Sequence, residues 1–158
     1  MYNLNIKKGQ GATEYLVLLA IVLIVGIVAV ALLGGFSDMS GGAREAESKQ
    51  YWAGSVRPFS IPEFEQVNDT LYLTLKNMEP QPLRIYNITA GSNTVNYTNG
   101  ISFAGGSKKT VSIPGFSVCD ATSNDFFEYN LTLIYGSSDI SGQSQSGNKP
   151  LSGRCSIR

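Results

Sequence analysis

The sequence contains no histidine and only two cysteines in 158 residues. Histidine is the side chain that most often serves as a general base and as a zinc ligand, so the usual participants in acid–base and metal chemistry are missing. The chain also lacks a nucleophile motif such as G-x-S-x-G and any clustering of metal-ligating residue types. We therefore expect a protein that is not an enzyme and that needs no metal or cofactor.

Net charge is also missing. The 12 Lys and Arg residues are balanced by 12 Asp and Glu residues. Proteins that bind nucleic acid neutralise phosphates with an excess of basic side chains, so we expect no nucleic-acid partner. The sequence is rich in glycine, with 17 residues, and in Ser, Thr and Asn, a composition that favours a turn-rich β body over a helical bundle.

A long stretch near the N-terminus has no charged residue. Residues 15–37 carry no charge, and residues 16–36 are almost all Leu, Val, Ile, Ala and Gly. At about 1.5 Å per residue, the stretch 16–36 makes a helix of about 31 Å, which matches a hydrocarbon core of about 30 Å. Apolar residues fall on every face of such a helix, so lipid or protein must surround it on all sides. The stretch predicts a membrane-spanning helix.

Lys7 and Lys8 precede this stretch and predict its orientation. Positive flanks stay on the cytoplasmic side, so we expect the residues that follow Arg57 to lie outside the cell. A cleaved secretory signal is the alternative, because it too begins with basic residues. The apolar region of such a signal, however, is about 7–15 residues long and ends at an A-x-A-like site. This sequence has a longer run and no such site.

Glu14 stands at the very start of the apolar run. It is the only Asp, Glu, Lys or Arg between Lys8 and Asp38. A carboxylate carried to the middle of a bilayer costs about 2.5–3.5 kcal/mol. Two interpretations are open. In the first, Glu14 lies at the headgroup level and complements the helix dipole, which is worth about 0.3–1 kcal/mol. In the second, Glu14 has a partner that offsets the free-energy cost of burying its carboxylate.

The residues around Glu14 form a recognisable pattern. Residues 7–18, KKGQGATEYLVL, resemble the class III signal peptide of archaeal type IV pilin precursors. In that family a membrane peptidase cuts between a basic-Gly end and a Gln that begins the pattern Q-x-S-x-E-x-x-x-L. Gln10, Glu14 and Leu18 occupy the matching positions, and Ala12 replaces the usual Ser. The resemblance covers roughly residues 7–36.

The resemblance implies a processing site and an assembly role. A class III prepilin peptidase would recognise Lys7, Lys8 and Gly9 and cut before Gln10, so that residues 1–9 are a cleaved leader. Cleavage before the apolar segment keeps the helix in the mature subunit. Glu14 would become the fifth mature residue, which in type IV pilins is thought to meet the N-terminal amine of a neighbouring subunit. An N-terminal Gln can also cyclise and lose its charge, in which case other donors would serve Glu14.

The segment after the apolar run reads as a linker and a second helical stretch. Residues 43–50 favour a helix, and Glu45 and Lys49 stand four apart in the stabilising order. The polar residues 37–42 end in two glycines, Gly41 and Gly42, which predict a kink or a short interruption of the helix. Pro58 and Pro62 end any helix. We accordingly expect a helical part at residues 10–53 and a β-rich extracellular head at residues 54–158.

The head shows the period of β-strands. Apolar residues alternate with polar ones at 71–75 and at 127–135, and weaker strands are predicted at 83–89, 94–98 and 109–113. The pattern predicts five to seven antiparallel strands in a small sandwich or partly closed barrel. Residues 136–153 are polar and rich in Gly and Ser, which predicts an exposed loop. The fold class is therefore α+β, with a long N-terminal hydrophobic helix.

Cys119 and Cys155 both lie in this head. In an exported chain an even number of cysteines suggests a disulfide, which would tie the loop back to the body. Two buried thiols are an alternative. A metal site built on two cysteines would lack further ligands.

The head also contains four N-x-[ST] sequons, which are acceptors for N-glycosylation and arise by chance in Thr- and Asn-rich sequences. Alternation along the strand places Asn130 on the outward face, whereas Asn87 has the same parity as Ile85 and is expected to face inward. We therefore rank three sequons above Asn87. The ranked positions are Asn130, Asn68 and Asn96.

These features leave several function classes to weigh. The resemblance favours a homo-oligomeric surface filament subunit, held in the cytoplasmic membrane before assembly and serving adhesion. An archaellum subunit has the same processing and helix, so the sequence leaves that alternative open. A single-pass anchored binding module is a further alternative, although a plain anchor has no need of Gly9-Gln10 or of Glu14.

Overall fold

The computed structural model describes residues 10–32, 36–123 and 125–156. The chain divides into two compact units, with the boundary between Met39 and Ser40. The helical segments of the described residues are α1 (Gln10–Leu32), α2 (Phe36–Gln50), a π-helical turn at Tyr51–Ser55 and a 3-10 turn at Ala121–Ser123. The division into a leader, residues 10–53 and residues 54–158 concerns processing and export, and stays a prediction.

Helix α1 is the expected apolar helix. It runs for 23 residues without a proline. Val and Ile are not strong helix formers in water, but a segment shielded from water must bond its own backbone groups internally, which favours a helix. The stretch Thr13–Val30 is long and apolar enough to cross a membrane.

Helix α2 passes through both glycines at which an interruption was expected. It is continuous from Phe36 to Gln50, so a short interruption at these glycines, one of the two predicted alternatives, is wrong. Packing explains one of the glycines. A Cβ atom at Gly41 would lie 2.6 Å from Cζ of Phe126, so the aromatic ring occupies the space of the missing side chain. Tertiary contact thus compensates for the poor helix propensity of glycine.

Nine strands form the head among the residues described. They are β1 (Phe59–Val67), β2 (Thr70–Asn77), β3 (Leu83–Ala90), β4 (Asn93–Phe103), β5 (Lys108–Ile113), β6 (Phe126–Tyr129), β7 (Leu131–Gly136), β8 (Gln143–Ser146) and β9 (Leu151–Arg154). All strand pairs are antiparallel, in a three-stranded sheet β1-β2-β5, a four-stranded sheet β4-β3-β7-β8 and a two-stranded sheet β6-β9.

The two larger sheets share one hydrophobic core. The ring of Phe59 in β1 lies 5.2 Å from that of Phe103 in β4 and 5.7 Å from that of Tyr135 in β7, between ring centroids. Leu71, Leu73 and Leu75 alternate along β2, and they are fully buried in the same hydrophobic core. The α+β class and the antiparallel head are confirmed, and the sheets described are not closed into a barrel.

The stretch 127–135, expected to be one strand, is two strands in different sheets. β6 pairs with β9, whereas β7 pairs with β3 and β8. The chain changes sheet at Asn130, whose carbonyl accepts a hydrogen bond from the Gly91 N–H at 2.9 Å. Inward and outward side chains still alternate across the break, which is why the sequence pattern looks continuous.

The expected loop at residues 136–153 contains strands β8 and β9, so that prediction is wrong in part. Gln145 and Leu151 are buried there although most of their neighbours are polar. Strand β1 was also missed, because it contains Pro62. The pairing of β1 with β2 shifts register between Ser60 and Glu63, and such an irregularity accommodates a proline within a strand.

Candidate functional site

The predicted processing site lies next to the described part of helix α1. Lys7, Lys8 and Gly9 fall outside the described residues, and Gln10 is the first described residue and lies in the helix. A cut before Gln10 would leave the described helix, Gln10–Leu32, whole.

Glu14 lies one turn into α1 and is exposed. It lines an open groove with Thr13, Val17 and Leu18, the last two at the i+3 and i+4 positions that share its helix face. Among the residues described, no cationic side chain forms an ion pair with it. The helix thus presents a single carboxylate on an otherwise apolar surface.

The apolar surface of α1 is uncovered in the single chain. Every large apolar side chain described between Tyr15 and Val30 is between 44% and 68% exposed. Burial of apolar surface is worth about 25 cal/mol per Å², so a helix exposed in this way would be strongly unfavourable in water. It needs a surrounding of lipid or of other protein.

Within the second unit, α2 packs against the head through the small buried side chain of Ser48. Ser48 is 2% exposed, and its hydroxyl donates a hydrogen bond to the Pro150 carbonyl at 3.0 Å. The same oxygen accepts the Ser152 N–H at 2.9 Å. Ser48 therefore satisfies two backbone groups next to β9, and a larger side chain could not occupy this position.

Ion pairs form close to Ser48 in α2. Glu47 pairs with Lys149, and its hydrogen bond and charge attraction to that lysine lower the pKa of the Glu47 carboxyl below its ordinary value. Glu45 pairs with Lys49 at 2.6 Å, as its spacing predicted, and lies 3.9 Å from Arg154. Exposed pairs of this kind each contribute little to the stability of the fold.

The head contains the predicted disulfide. Cys119 and Cys155 are bonded, with their Cα atoms 5.5 Å apart. Cys119 donates its N–H to the Asn68 carbonyl at 3.0 Å, and Cys155 forms a bridge with Gln66. The disulfide thus joins the segment between β5 and β6 to the residue after β9, and backbone bridges hold both cysteines at the end of β1 and the turn that follows it.

Beside the disulfide lies a buried glutamine that the sequence patterns did not single out. Gln66 is fully buried, and its Nε2 donates to the carbonyls of Asn68 and Ser117, both at 3.0 Å. Its Oε1 accepts the Tyr129 hydroxyl at 2.8 Å. Burial raises the pKa of the Tyr129 phenol, against the smaller opposite effect of this hydrogen bond. One sequence signal for the burial of Gln66 was available: it lies two residues after Phe64 in β1, so both side chains face the core.

Three of the sequon asparagines are exposed. Asn96 lies in β4 and Asn130 between β6 and β7, while Asn68 occupies the β1–β2 turn with a φ of 53°. Asparagine tolerates this left-handed conformation better than most residues, which accounts for its place in the turn. The three sites are accessible in the folded head, and their glycosylation stays a prediction.

Asn87 does not face the core as its parity predicted. The pairing of β3 shifts register between Ile85 and Asn87, so Ile88 is the next buried residue. Asn87 is half-buried, and its Nδ2 donates to Oδ1 of Asn96 on the neighbouring strand. The expectation of an inward side chain is therefore wrong, because the irregularity in the strand inverts the alternation.

Among the residues described, no group of three or more His, Cys, Asp or Glu side chains is arranged to hold a metal ion. No protein-family model matches the sequence, and no curated protein is significantly similar to it.

Proposed function

We propose that this chain is the precursor of a structural subunit of an archaeal type IV pilus-like surface filament that serves adhesion. The observation that supports the proposal is helix α1, which follows the predicted cleavage site in the sequence and exposes apolar side chains on every face. A helix of this kind has two natural surroundings, a bilayer and a bundle of its own copies, and a filament subunit uses them in turn.

Before assembly, α1 anchors the subunit in the cytoplasmic membrane. Its 23 residues span about 35 Å at about 1.5 Å per residue, enough to cross a hydrocarbon core of about 30 Å. Lys7 and Lys8 hold the N-terminal side in the cytoplasm, and the head is exported, where the disulfide persists.

Processing then removes the leader. A class III prepilin peptidase cuts between Gly9 and Gln10, on the N-terminal side of the helix. A secretory signal is cut after its apolar region and loses it. Cleavage before α1 retains the helix and creates a new N-terminal amine four residues before Glu14.

Assembly moves α1 from lipid into a bundle formed with other copies of the chain. The apolar side chains exchange contacts with lipid for contacts with protein, and packing drives the association. Glu14 meets the amine of a neighbouring subunit, because a buried carboxylate is tolerated when it is paired. Where Gln10 has cyclised, hydrogen-bond donors of the neighbour take the place of the amine.

The test is to purify filaments from the cell surface, image them by electron microscopy and measure the intact mass of the subunit. We expect filaments whose subunit begins at Gln10, as glutamine or pyroglutamate. A subunit that begins after residue 30 would identify an ordinary secretory signal and refute the proposal. An uncleaved chain found only in membranes would identify an anchored binding module. If cells that lack this chain stop swimming but still attach to surfaces, the chain is an archaellum subunit.

A further inference from the structure

A polar groove with a volume of about 480 Å³ opens at one end of the four-stranded sheet. Three of its lining residues are serines, and an arginine, a tyrosine and a proline complete it. They are Pro82, Arg84, Tyr86, Ser102, Ser137 and Ser138. Among the described residues that line the groove there is no carboxylate.

Strand pairing assembles this groove from distant parts of the sequence. Arg84 on β3 is the register partner of Ser102 on β4 and of Gly136 on β7. Arg84 therefore lies on a strand between two neighbours, one with a serine at the paired position and one with Ser137 directly after it. The sheet holds the base of the side chain in a fixed position.

Two glycines make room for the aromatic ring. A Cβ atom at Gly100 would lie 2.9 Å from Cε1 of Tyr86, and one at Gly136 would lie 3.3 Å from Cε2. The ring of Tyr86 thus reaches the bare backbone of both neighbouring strands with its two edges. It is half-buried and lines the same groove as Arg84, to which it contributes an apolar surface.

The serines of the β7–β8 turn are oriented by their own hydrogen bonds. Ser137 Oγ accepts the N–H groups of Asp139 and Ile140 at 3.3 Å and 3.2 Å, which leaves its hydroxyl hydrogen to donate. Ser138 Oγ donates to Oδ1 of Asp139 at 3.0 Å, which leaves its oxygen to accept. The groove thus offers a hydroxyl donor and a hydroxyl acceptor side by side.

Arg84 differs from the other described arginines of the head in having no acidic partner among the described residues. Arg57 lies 3.5 Å from Glu79 and Arg154 lies 3.9 Å from Glu45, whereas no described carboxylate pairs with Arg84. A guanidinium binds a carboxylate through two parallel hydrogen bonds, and it is weakly hydrated for a cation. An unpaired guanidinium in a concave, hydroxyl-lined groove is suited to an anionic ligand.

We propose that this groove binds an acidic saccharide. The carboxylate of a uronate unit meets Arg84, its hydroxyls bond to the serines, and its apolar face lies against the ring of Tyr86. Sites for small ligands typically combine a few precisely placed polar groups with an apolar wall, as this groove does. The inference deepens the proposed adhesive role by naming the class of target.

The test uses the full processed chain in detergent micelles, unassembled, with trigalacturonate as the probe in calorimetric titrations at low salt. Arg84→Gln is expected to lower the affinity about tenfold or more, because hydrogen bonds to a charged group are the strong ones. The matched control is Lys108→Gln, which removes an exposed cation from the three-stranded sheet and should leave the affinity unchanged. Neutral galactotriose should bind at least tenfold more weakly than trigalacturonate.

A second variant tests the sign of the electrostatics. Asp139→Asn removes a negative charge beside the groove and keeps an acceptor for Ser138, so the affinity for trigalacturonate should rise. Equal affinity of wild type and Arg84→Gln, or equal binding of the neutral and acidic sugars, would overturn the inference. Because the assay uses unassembled subunits, failure to bind is distinguishable from failure to form filaments.

Discussion

The side-chain amide of Gln145 forms two hydrogen bonds with the backbone of Phe59, as a peptide group of a neighbouring strand would. Gln145 Oε1 accepts the Phe59 N–H at 2.9 Å, and Gln145 Nε2 donates to the Phe59 carbonyl at 2.7 Å. Gln145 lies in β8, in the four-stranded sheet, and Phe59 begins β1 in the three-stranded sheet. Both residues are buried, so this pair of hydrogen bonds joins the two sheets inside the core.

Replacing this amide should destabilise the head. Gln145→Leu leaves the N–H and C=O of Phe59 buried without partners, and we expect a loss of about 2–4 kcal/mol in the free energy of unfolding. Denaturant titration of the chain in micelles, followed by fluorescence of Trp52, the only tryptophan and fully buried, measures this. Gln143→Leu in the same strand is the control and should cost far less. Equal losses in both variants would contradict a specific role for the contact.

The disulfide should contribute a large part of the stability of the head. Cys119 and Cys155 are 36 residues apart in sequence. The chain-entropy estimate for closing a loop of that length is about 3–4 kcal/mol, which the double variant Cys119→Ser/Cys155→Ser should lose. The same denaturant titration measures it. A reductant should destabilise the wild type to a similar extent and leave the variant unchanged, and a wild type indifferent to reductant would contradict the prediction.

Glu14 should be needed for assembly but not for insertion. If Glu14 is paired in the core of the proposed filament, Glu14→Gln leaves its partner unpaired there, a loss of typically about 3–5 kcal/mol. With the variant as the only copy, sheared filaments should fall sharply while processed subunit accumulates in membranes. Glu63→Gln, the same chemical change at an exposed position of β1, is the control. If Glu14 only complemented the helix dipole, the loss would stay under about 1 kcal/mol and filament yield would be normal.

Glycans, if attached, should follow the exposure of the sequons. Asn130→Gln is expected to lower the intact mass of the exported subunit by the mass of a glycan, and Thr132→Ala should do the same by removing the acceptor motif. Asn87→Gln should change the mass only by the substitution, because the Asn87 amide is half-buried and bonded to Asn96. Asn93→Gln, outside any sequon, is the control. Masses that match the bare sequence at all four positions would show that the triplets arose by chance.

Local sequence signals were sufficient for the helix and for the strands with one apolar face. The charge-free run predicts α1 because its length and composition alone require a helix shielded from water. The alternation at Leu71 and Leu73 predicts β2 for a similarly local reason, since every second side chain meets the core. The pair Glu45–Lys49 also followed from spacing on a single helix.

Signals that depend on distant partners were missed. Strands β8 and β9 are short and polar, and they exist because β7 and β6 offer backbone partners. Gly41 does not interrupt α2, because the ring of Phe126 packs where a side chain of Gly41 would be. In each case the stabilising group lies far away in the sequence.

The sequence by itself determined the apolar helix, the place of Glu14 at its edge and the antiparallel character of the head, since these follow from hydrophobicity and period. Only the tertiary structure decided which polar residues lie inside the head and which lie together. The buried amides of Gln66 and Gln145, the outward turn of Asn87 and the groove around Arg84 all depend on register between strands. Register is set by the pairing of whole strands and by their irregularities, and a single residue shift inverts the face on which every following side chain lies.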